Sequence, residues 1–323
     1  MSLYTQSMKR HNNLYQQIIN IENLQSADKK ARRGKLKQYG VIKHLQNEED
    51  NILNLHKTLS DKKFTTSRYN VFTISDGKER TISQLPYYPD RIVHHAILNI
   101  LEPIFVSVFT ADTYSCVKGR GVHQASYKLR KVLKDTEGTK YCLKLDIKKF
   151  FPNIDNEILK GMLRRKFKDN DLLYLLDDII DSHSGVPLGN FTSQFFGNFY
   201  LTYFDHWIKE VLKVKYYFKY CDDMVLLSDN KEQLWEWFYN IQDYLRTQLK
   251  LEIKGNYQVF PVSARSIDFL GYKHYHTHTL IRKSIKKKYI KNKVKKNHKS
   301  WLVHCNSKNL VNKYENENTR IEN

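Results

Sequence analysis

The chain has 323 residues, 41% of them hydrophobic, enough for one large folded core or two or three smaller ones. Its 54 Lys and Arg against 34 Asp and Glu give a formal net charge of +20, which points to a polyanionic partner such as nucleic acid. No apolar run approaches the ~20 residues of a bilayer span, MSLYTQSMKRHNN lacks the apolar core of a secretion signal, and Cys116, Cys142, Cys221 and Cys305 form no CxxC pair; these features argue against membrane insertion, secretion and a zinc or disulfide framework, and a soluble cytoplasmic protein with reduced thiols is expected.

Residues 8–56 have helical spacing and carry the basic run KKARRGKLK at 29–37. Residues 64–85 alternate as strands, with a turn at Asp76-Gly77. Helical spacing returns from Arg91 to Phe109. YCLKLDI, at 141–147, is a short strand with Leu143, Leu145 and Ile147 on one face and Cys142, Lys144 and Asp146 on the other. A charged helical stretch covers 153–182, and a long helix starts near Thr192 and runs through NFYLTYFDHWIKEVL. YYFKYCDDMVLLS, at 216–228, holds two apolar strand-like runs around an acidic pair. Residues 231–250 are helical again, and strands follow up to Tyr275. From Arg282 to Ser300 there are ten Lys or Arg and no acid, so half the formal net charge lies there. That segment reads as a solvated basic tail or as a small helical module that grips a nucleic-acid backbone. The histidines of HYHTHT, 274–278, fit alternation on a surface strand better than a metal site.

Asp222 and Asp223 are adjacent carboxylates between two apolar runs. Like charges at such a turn repel, and burial raises the cost. A solvated hairpin tip would tolerate them, but the aromatic and aliphatic residues on both sides argue for a tip packed against a sheet. Cations would relieve the repulsion, and carboxylates together with substrate phosphates are typical magnesium ligands. With Asp146 at the end of its own strand, three carboxylates from two strands would suit two-metal phosphoryl transfer, provided the strands are neighbours.

Several boxes resemble those of reverse transcriptases. Tyr220-Cys221-Asp222-Asp223 is similar to their YxDD box, and Asp146 with Phe150-Phe151, 76 positions before Asp222, resembles DxxxFF. In the family's order, DRIVHH (90–95), DTYSCVKGRGVHQ (112–124), GVPLGNFTSQFFGNFY (185–200) and DFLGY (268–272) also resemble its motifs, so the likeness covers roughly 80–285. Where most relatives have QG and SP, this chain has Leu188-Gly189 and Ser193-Gln194, which resembles the reverse transcriptases of diversity-generating retroelements, as do KRHNNLYQQIINIENL and HTHTLIRKS.

The resemblance implies an α+β right-hand polymerase fold: fingers over 1–140, a palm with an antiparallel sheet over 141–275 whose 152–187 partly return to the fingers, and a short basic thumb over 276–323. It implies two magnesium ions, with manganese as the alternative, on Asp146, Asp222, Asp223 and the carbonyl of Ile147. Phe151 would be a steric gate against a 2′-OH. Leu188, with Gly189, stands where relatives place a Gln that contacts the incoming nucleotide; an aliphatic side chain removes that hydrogen bond and lowers discrimination. Gln194 belongs to the same pocket. Lys118 and Arg120, in a glycine-flanked turn, are placed for phosphates, and Lys254 for protonating departing pyrophosphate. Leu270, Gly271 and Tyr272 resemble the primer grip. The implied partners are an RNA template, a DNA or RNA primer, dNTPs and a small accessory variability protein; no membrane partner is expected. A related prokaryotic reverse transcriptase of phage defence or of another retroelement, and a non-catalytic nucleic-acid-binding scaffold, are the alternatives.

Overall fold

The computed structural model describes residues 10–75, 79–291, 301–302 and 304–306. Four short helices open it: α1 (Tyr15–Ile19), α2 (Ile21–Ala31), α3 (Tyr39–Leu45) and α4 (Glu48–Ser60). The helical stretch expected over 8–56 is divided at Asn20, whose side chain accepts from the Glu22 amide and caps α2, and again in the loop at Gly34, which takes φ 71. Strands β1 (Asn70–Ser75) and β2 (Glu79–Gln84) pair antiparallel, with Asn70 opposite Gln84; the turn expected at Asp76-Gly77 lies outside the described residues. Helix α5 (Ile92–Val108) follows, then α6 (Val122–Val132), which the sequence reading treated only as a turn motif.

After β3 (Tyr141–Asp146), the charged stretch 153–182 divides into α7 (Asn156–Lys166) and α8 (Asn170–Asp181). Each has its own aspartate cap: Asp155 accepts from the Ile158 amide and Asp169 from the Leu172 amide. The long helix expected from Thr192 is likewise two helices, α9 (Ser193–Tyr200) and α10 (Thr202–Glu210), separated at Leu201 with φ −92 and ψ 0. Strands β4 (Tyr216–Tyr220) and β5 (Asp223–Ser228), helix α11 (Lys231–Leu249), strands β6 (Gln258–Pro261), β7 (Ile267–Phe269), β8 (Tyr272–His274) and β9 (Thr279–Ile281), and helix α12 (Lys283–Lys291) complete the order. Mixed helices and antiparallel sheets give the expected α+β class.

The chain forms two compact units, each from two stretches: 1–108 with 149–201, and 109–148 with 202–323. The first boundary lies before the residue 140 assigned to the fingers, because α6 packs on β4 and β8 of the second unit.

In the first unit α5 packs against α1, α2 and α9. With the turn before it, α5 makes an apolar helical stretch of 22 residues, Tyr87–Val108, long and apolar enough to cross a bilayer. This corrects the expectation that no such run exists; Ile92, Val93, Ala96, Ile97, Leu98 and Leu101 are buried in the unit, as in the core helix of a globular protein. Gly189 takes φ 140, and a Cβ there would stand 2.4 Å from the Ser83 carbonyl oxygen, while the Ser83 amide donates to the Leu188 carbonyl at 2.9 Å. Gly189→Ala is therefore expected to lower stability by about 1–3 kcal/mol, seen as an earlier thermal unfolding transition.

In the second unit the main sheet has the order β4-β5-β3-β6, antiparallel throughout. Helix α11 covers one face. The other face, with Cys142, Val225 and Leu227, packs with Leu129 and Leu133 around Phe218, Phe260 and Phe269. A second sheet, β7-β8-β9, shares a smaller cluster in which Tyr272, Ile281, Leu302 and Cys305 are buried against Val122, Ile285 and Trp301. Of the basic tail, α12 is a helix, while 292–300 lie outside the described residues.

Candidate active site

The site is built on the ends of β3 and β5. These strands are neighbours, and their register sets Asp146 directly opposite Asp223. Period-two alternation puts Lys144 and Asp146 on the same face of β3. Asp222 sits in the two-residue turn between β4 and β5, whose first residue, Cys221, takes φ 54. A left-handed first residue is what a tight hairpin between twisted strands requires. The turn is tied down twice: the Ile147 amide donates to the Asp222 carbonyl at 3.2 Å, and the Cys221 thiol donates to Ser115 Oγ at 3.1 Å.

Electrostatics follow from this crowding. Burial, with the charge of Asp146 beside it, pushes the Asp222 carboxyl up to about 6; Lys254 opposes the rise. Burial pushes Asp223 up to about 6 as well, with Lys144 opposing and the Asp146 and Asp222 charges adding to it. Two ammonium groups partly neutralise the cluster. Lys254 donates to Asp146 Oδ2 at 2.6 Å, and its backbone amide holds the Asp146 carbonyl at 2.8 Å. Lys144 Nζ stands 3.6 Å from Asp223 Oδ1 and also donates to the Asp268 carbonyl.

Asp146 Oδ1 and Asp223 Oδ1 are buried and accept no hydrogen bond. Among the described residues no three His, Cys, Asp or Glu side chains form a ready metal site. The donor chemistry nevertheless fits a hard divalent cation: the orphaned atoms are carboxylate oxygens.

An open cleft of about 390 Å³ extends from the carboxylates, lined by Lys144, Gln258, Arg265, Asp268 and Arg282 as well as Asp146 and Asp223. Arg282 pairs with Asp268, and Arg265 lies over the Phe260 ring at 5.2 Å. Sequence reasoning missed Lys144, although its place two residues before Asp146 was a signal. It also missed Arg265, for which the sequence offered none.

Other expected residues fall as follows. Lys118 is exposed. Arg120 turns its guanidinium inward, donating to the Thr110 and Thr113 carbonyls at 2.8 and 3.2 Å, and so braces its own turn. Leu270 and Gly271 form the two-residue turn between β7 and β8, with φ 52 and φ 83. A Cβ on Gly271 would stand 2.5 Å from Ile285 Cδ1. Tyr272 is fully buried and bonds His123 and the Trp301 carbonyl, so its side chain supports the turn rather than touching a ligand. In the first unit, Phe151 is half-buried beside Phe150, and both rings lie against Gly197, where a Cβ would meet Phe151 at 2.9 Å. Leu188 is half-buried, and Gln194 is exposed on α9. His274 is fully buried at the end of β8 and 275–278 form the loop to β9, where His276 bonds Thr139, so HYHTHT is not the alternating surface strand expected from the sequence.

Residues 65–274 match the family model described as reverse transcriptase (RNA-dependent DNA polymerase). The group II intron-encoded protein LtrA of Lactococcus lactis subsp. cremoris is 27% identical over 143 residues, covering 41% of this chain and 23% of the relative. Protein YkfC of Escherichia coli strain K12 is 29% identical over 149 residues, covering 42% and 39%. Nuclear intron maturase 1 of Arabidopsis thaliana mitochondria is 29% identical over 106 residues, covering 32% and 14%. The chain thus spans well under half the length of these relatives. A telomerase structure from Candida albicans, in complex with a fragment of telomeric RNA, superposes with a TM-score of 0.51 at 12% identity, covering 72% of this chain and 52% of that one.

Proposed function

The chain belongs to the reverse transcriptase family and has its right-hand polymerase fold, and we propose that it copies an RNA template into DNA, with two magnesium ions (or manganese) on Asp146, Asp222, Asp223 and the Ile147 carbonyl. The observation that carries this reading is the register of β3 on β5, which sets Asp146 opposite Asp223 with a buried carboxylate oxygen on each that accepts no hydrogen bond. The ions, when bound, would supply charge neutralisation for the attacking 3′-oxygen and the departing pyrophosphate. The protein's part is alignment. The sheet fixes Asp146 and Asp223, and the thiol bond to Ser115 and the Asp222 carbonyl bond fix the turn that carries Asp222. Lys254, held on Asp146, would donate the proton to the leaving group. Lys118 is assigned to the triphosphate side, on the turn that Arg120 braces, and the Leu270-Gly271 turn, seated by Tyr272, to the primer end. Phe151 is assigned to the sugar, with Gly197 making room for its ring. The test is extension of a labelled primer on an RNA template, with Asp222→Ala/Asp223→Ala as control. Activity that survives the double change rejects the site.

The finer reading is the polymerase of a diversity-generating retroelement, acting with a template-repeat RNA and an accessory variability protein. It rests on Leu188 and Gln194 in the middle motif. Leu188 holds the Ser83 amide through its backbone carbonyl, so Leu188→Gln changes the side chain without disturbing that bond. The substitution is expected to lower misincorporation by about tenfold, counted by sequencing the cDNA. Unchanged error frequencies would detach Leu188 from fidelity.

A further inference from the structure

Lys144 has no part in the chemistry above, yet it stands in the cleft between two things that chemistry uses. On β3 it lies two residues before Asp146 and on the same face, opposite Val225 of β5 and Gln258 of β6. Its ammonium stands 3.6 Å from Asp223 Oδ1, and it donates a hydrogen bond to the backbone carbonyl of Asp268, 124 positions away. The two contacts differ in kind. Asp223 Oδ1 accepts no hydrogen bond, so the lysine faces that carboxylate as a charge and leaves the oxygen open to a cation. The carbonyl receives a directed bond. The Lys144 and Asp223 side chains are 24% and 26% exposed, so water screens the pair only in part.

Asp268 belongs to β7, in the second sheet, and no strand pairing among the described residues joins that sheet to the one that holds the carboxylates. The two sheets share apolar packing, in which Ile267 and Phe269 meet Phe260 and Val262. Such packing is non-directional, whereas the bond from Lys144 has a direction. Asp268 is fixed from its other side as well. Arg282 Nε donates to Asp268 Oδ1 at 2.8 Å, and the Arg282 amide holds the Gly271 carbonyl at 2.8 Å. A line of polar contacts therefore runs from Asp223 through Lys144, Asp268 and Arg282 to the Leu270-Gly271 turn. An ordinary surface ion pair joins two mobile side chains and holds little in place. This ammonium joins a candidate metal ligand to the main chain of another sheet.

We propose that Lys144 is a positioning residue: it holds the hairpin that carries the Leu270-Gly271 turn in register with Asp223, and its charge competes with a divalent cation for that carboxylate. The proposal rests on the reading of Asp223 as a metal ligand and of the turn as the seat of the primer end. Without the ammonium, Asp223 is less neutralised, so a cation binds it more tightly. The hairpin also loses its polar anchor and opens more often. Lys144→Met keeps the aliphatic stem and removes the charge and the donor. In the full chain at pH 7, without nucleic acid, the magnesium concentration that half-saturates the thermal shift is expected to fall about fivefold in this variant. Amide exchange at 267–274 is expected to quicken about fivefold, the loss of one hydrogen bond. Lys144→Arg keeps the charge and the donors, and both readouts should stay within about twofold of wild type. In primer extension, Lys144→Met is expected to lower kcat about thirtyfold with the KM for dNTP little changed, because a 3′ end seated off line reacts slowly while the nucleotide still binds.

An unchanged magnesium midpoint, hairpin exchange or kcat in Lys144→Met overturns the proposal. So does a Lys144→Arg protein that matches Lys144→Met, which assigns the effects to the shape of the side chain. If Lys144→Met does not fold, Lys144→Gln removes the same charge, and its magnesium midpoint decides in the same way. A wild-type chain whose thermal transition ignores magnesium removes Asp223 as a metal ligand and the proposal with it. The enzymatic reading fails separately: a chain that extends no primer, yet shows the magnesium and exchange responses on Lys144→Met, keeps the tether and loses the polymerase assignment.

Discussion

Asp223→Asn is expected to cut primer extension roughly a thousandfold or more while raising the thermal stability of the metal-free protein at neutral pH. The two effects have one cause. Asp223 is forced to share a buried site with Asp146 and Asp222, and burial with those charges holds its carboxyl up to about 6 instead of 3.8. A carboxyl whose folded-state pKa is raised contributes stability that is fully present below its unfolded pKa and lost as pH rises through the folded one. The wild-type protein should therefore lose stability between about pH 4 and pH 6 on account of Asp222 and Asp223, and stay level on their account above that window. Neutral Asn removes one member of the repelling set, at a gain of about 1–2 kcal/mol at pH 7 and little at pH 4. The loss of the Lys144 contact at 3.6 Å is already weighed in that balance. Magnesium should act in the same direction on the wild type, raising its transition at pH 7, and less so on Asp223→Asn. Calorimetry across pH, with and without magnesium, together with primer extension, measures all of this. A variant less stable than wild type at pH 7 would show that the carboxylates are not strained against one another.

The second large effect concerns Lys219, on β4 of the same hairpin, and Asp205, on α10. Lys219 Nζ contacts Asp205 Oδ2 at 2.5 Å, and neither side chain is more than 1% exposed. Tyr217 donates to Asp205 Oδ1 at 2.7 Å, and Thr113 Oγ1 lies 3.3 Å from Oδ2. Burial outweighs the attraction of Lys219 and holds the Asp205 carboxyl above its usual range. The backbone of Lys219 is bound as well, its amide donating to the Asp112 carbonyl and its carbonyl accepting from the Tyr114 amide. Lys219→Met leaves a buried carboxylate facing one phenol and one hydroxyl, and should cost about 3–5 kcal/mol. Asp205→Leu/Lys219→Met removes both charges and should recover most of it, because a buried ion pair is worth little against well-packed apolar side chains. Denaturant titration of the single and double variants checks this. A double variant no more stable than the single would assign the loss to packing.

Much of this was legible in the residues. The alternation of YCLKLDI put Asp146 opposite the leucine face, and two apolar runs around Asp222-Asp223 announced a hairpin. What resisted reading was whatever depends on partners distant in the chain. Nothing near Lys219 shows that it faces Asp205, because one is on a strand and the other on a helix, and burying a lysine contradicts its ordinary preference. Helix ends were also misjudged: the stretch 153–182 has helical composition throughout, and only the caps at Asp155 and Asp169 divide it. Helix α6 was hidden by the glycines that precede it. DFLGY folds as a hairpin in which Tyr272 is buried, and its letters alone do not say which side chain turns inward.

The division of the chain also bears on how it is made. The polypeptide passes between the two units three times, after residues 108, 148 and 201, so neither unit is a contiguous stretch. On the ribosome, the first unit must wait for α7–α9 to emerge before α5 gains its partner α9. By then β3 has already been released without β5, its neighbour in the finished sheet. A nascent chain of about 200 residues thus carries an uncovered apolar strand and an unsealed helix at once. That interval, rather than any property of the completed enzyme, is when it most needs a chaperone.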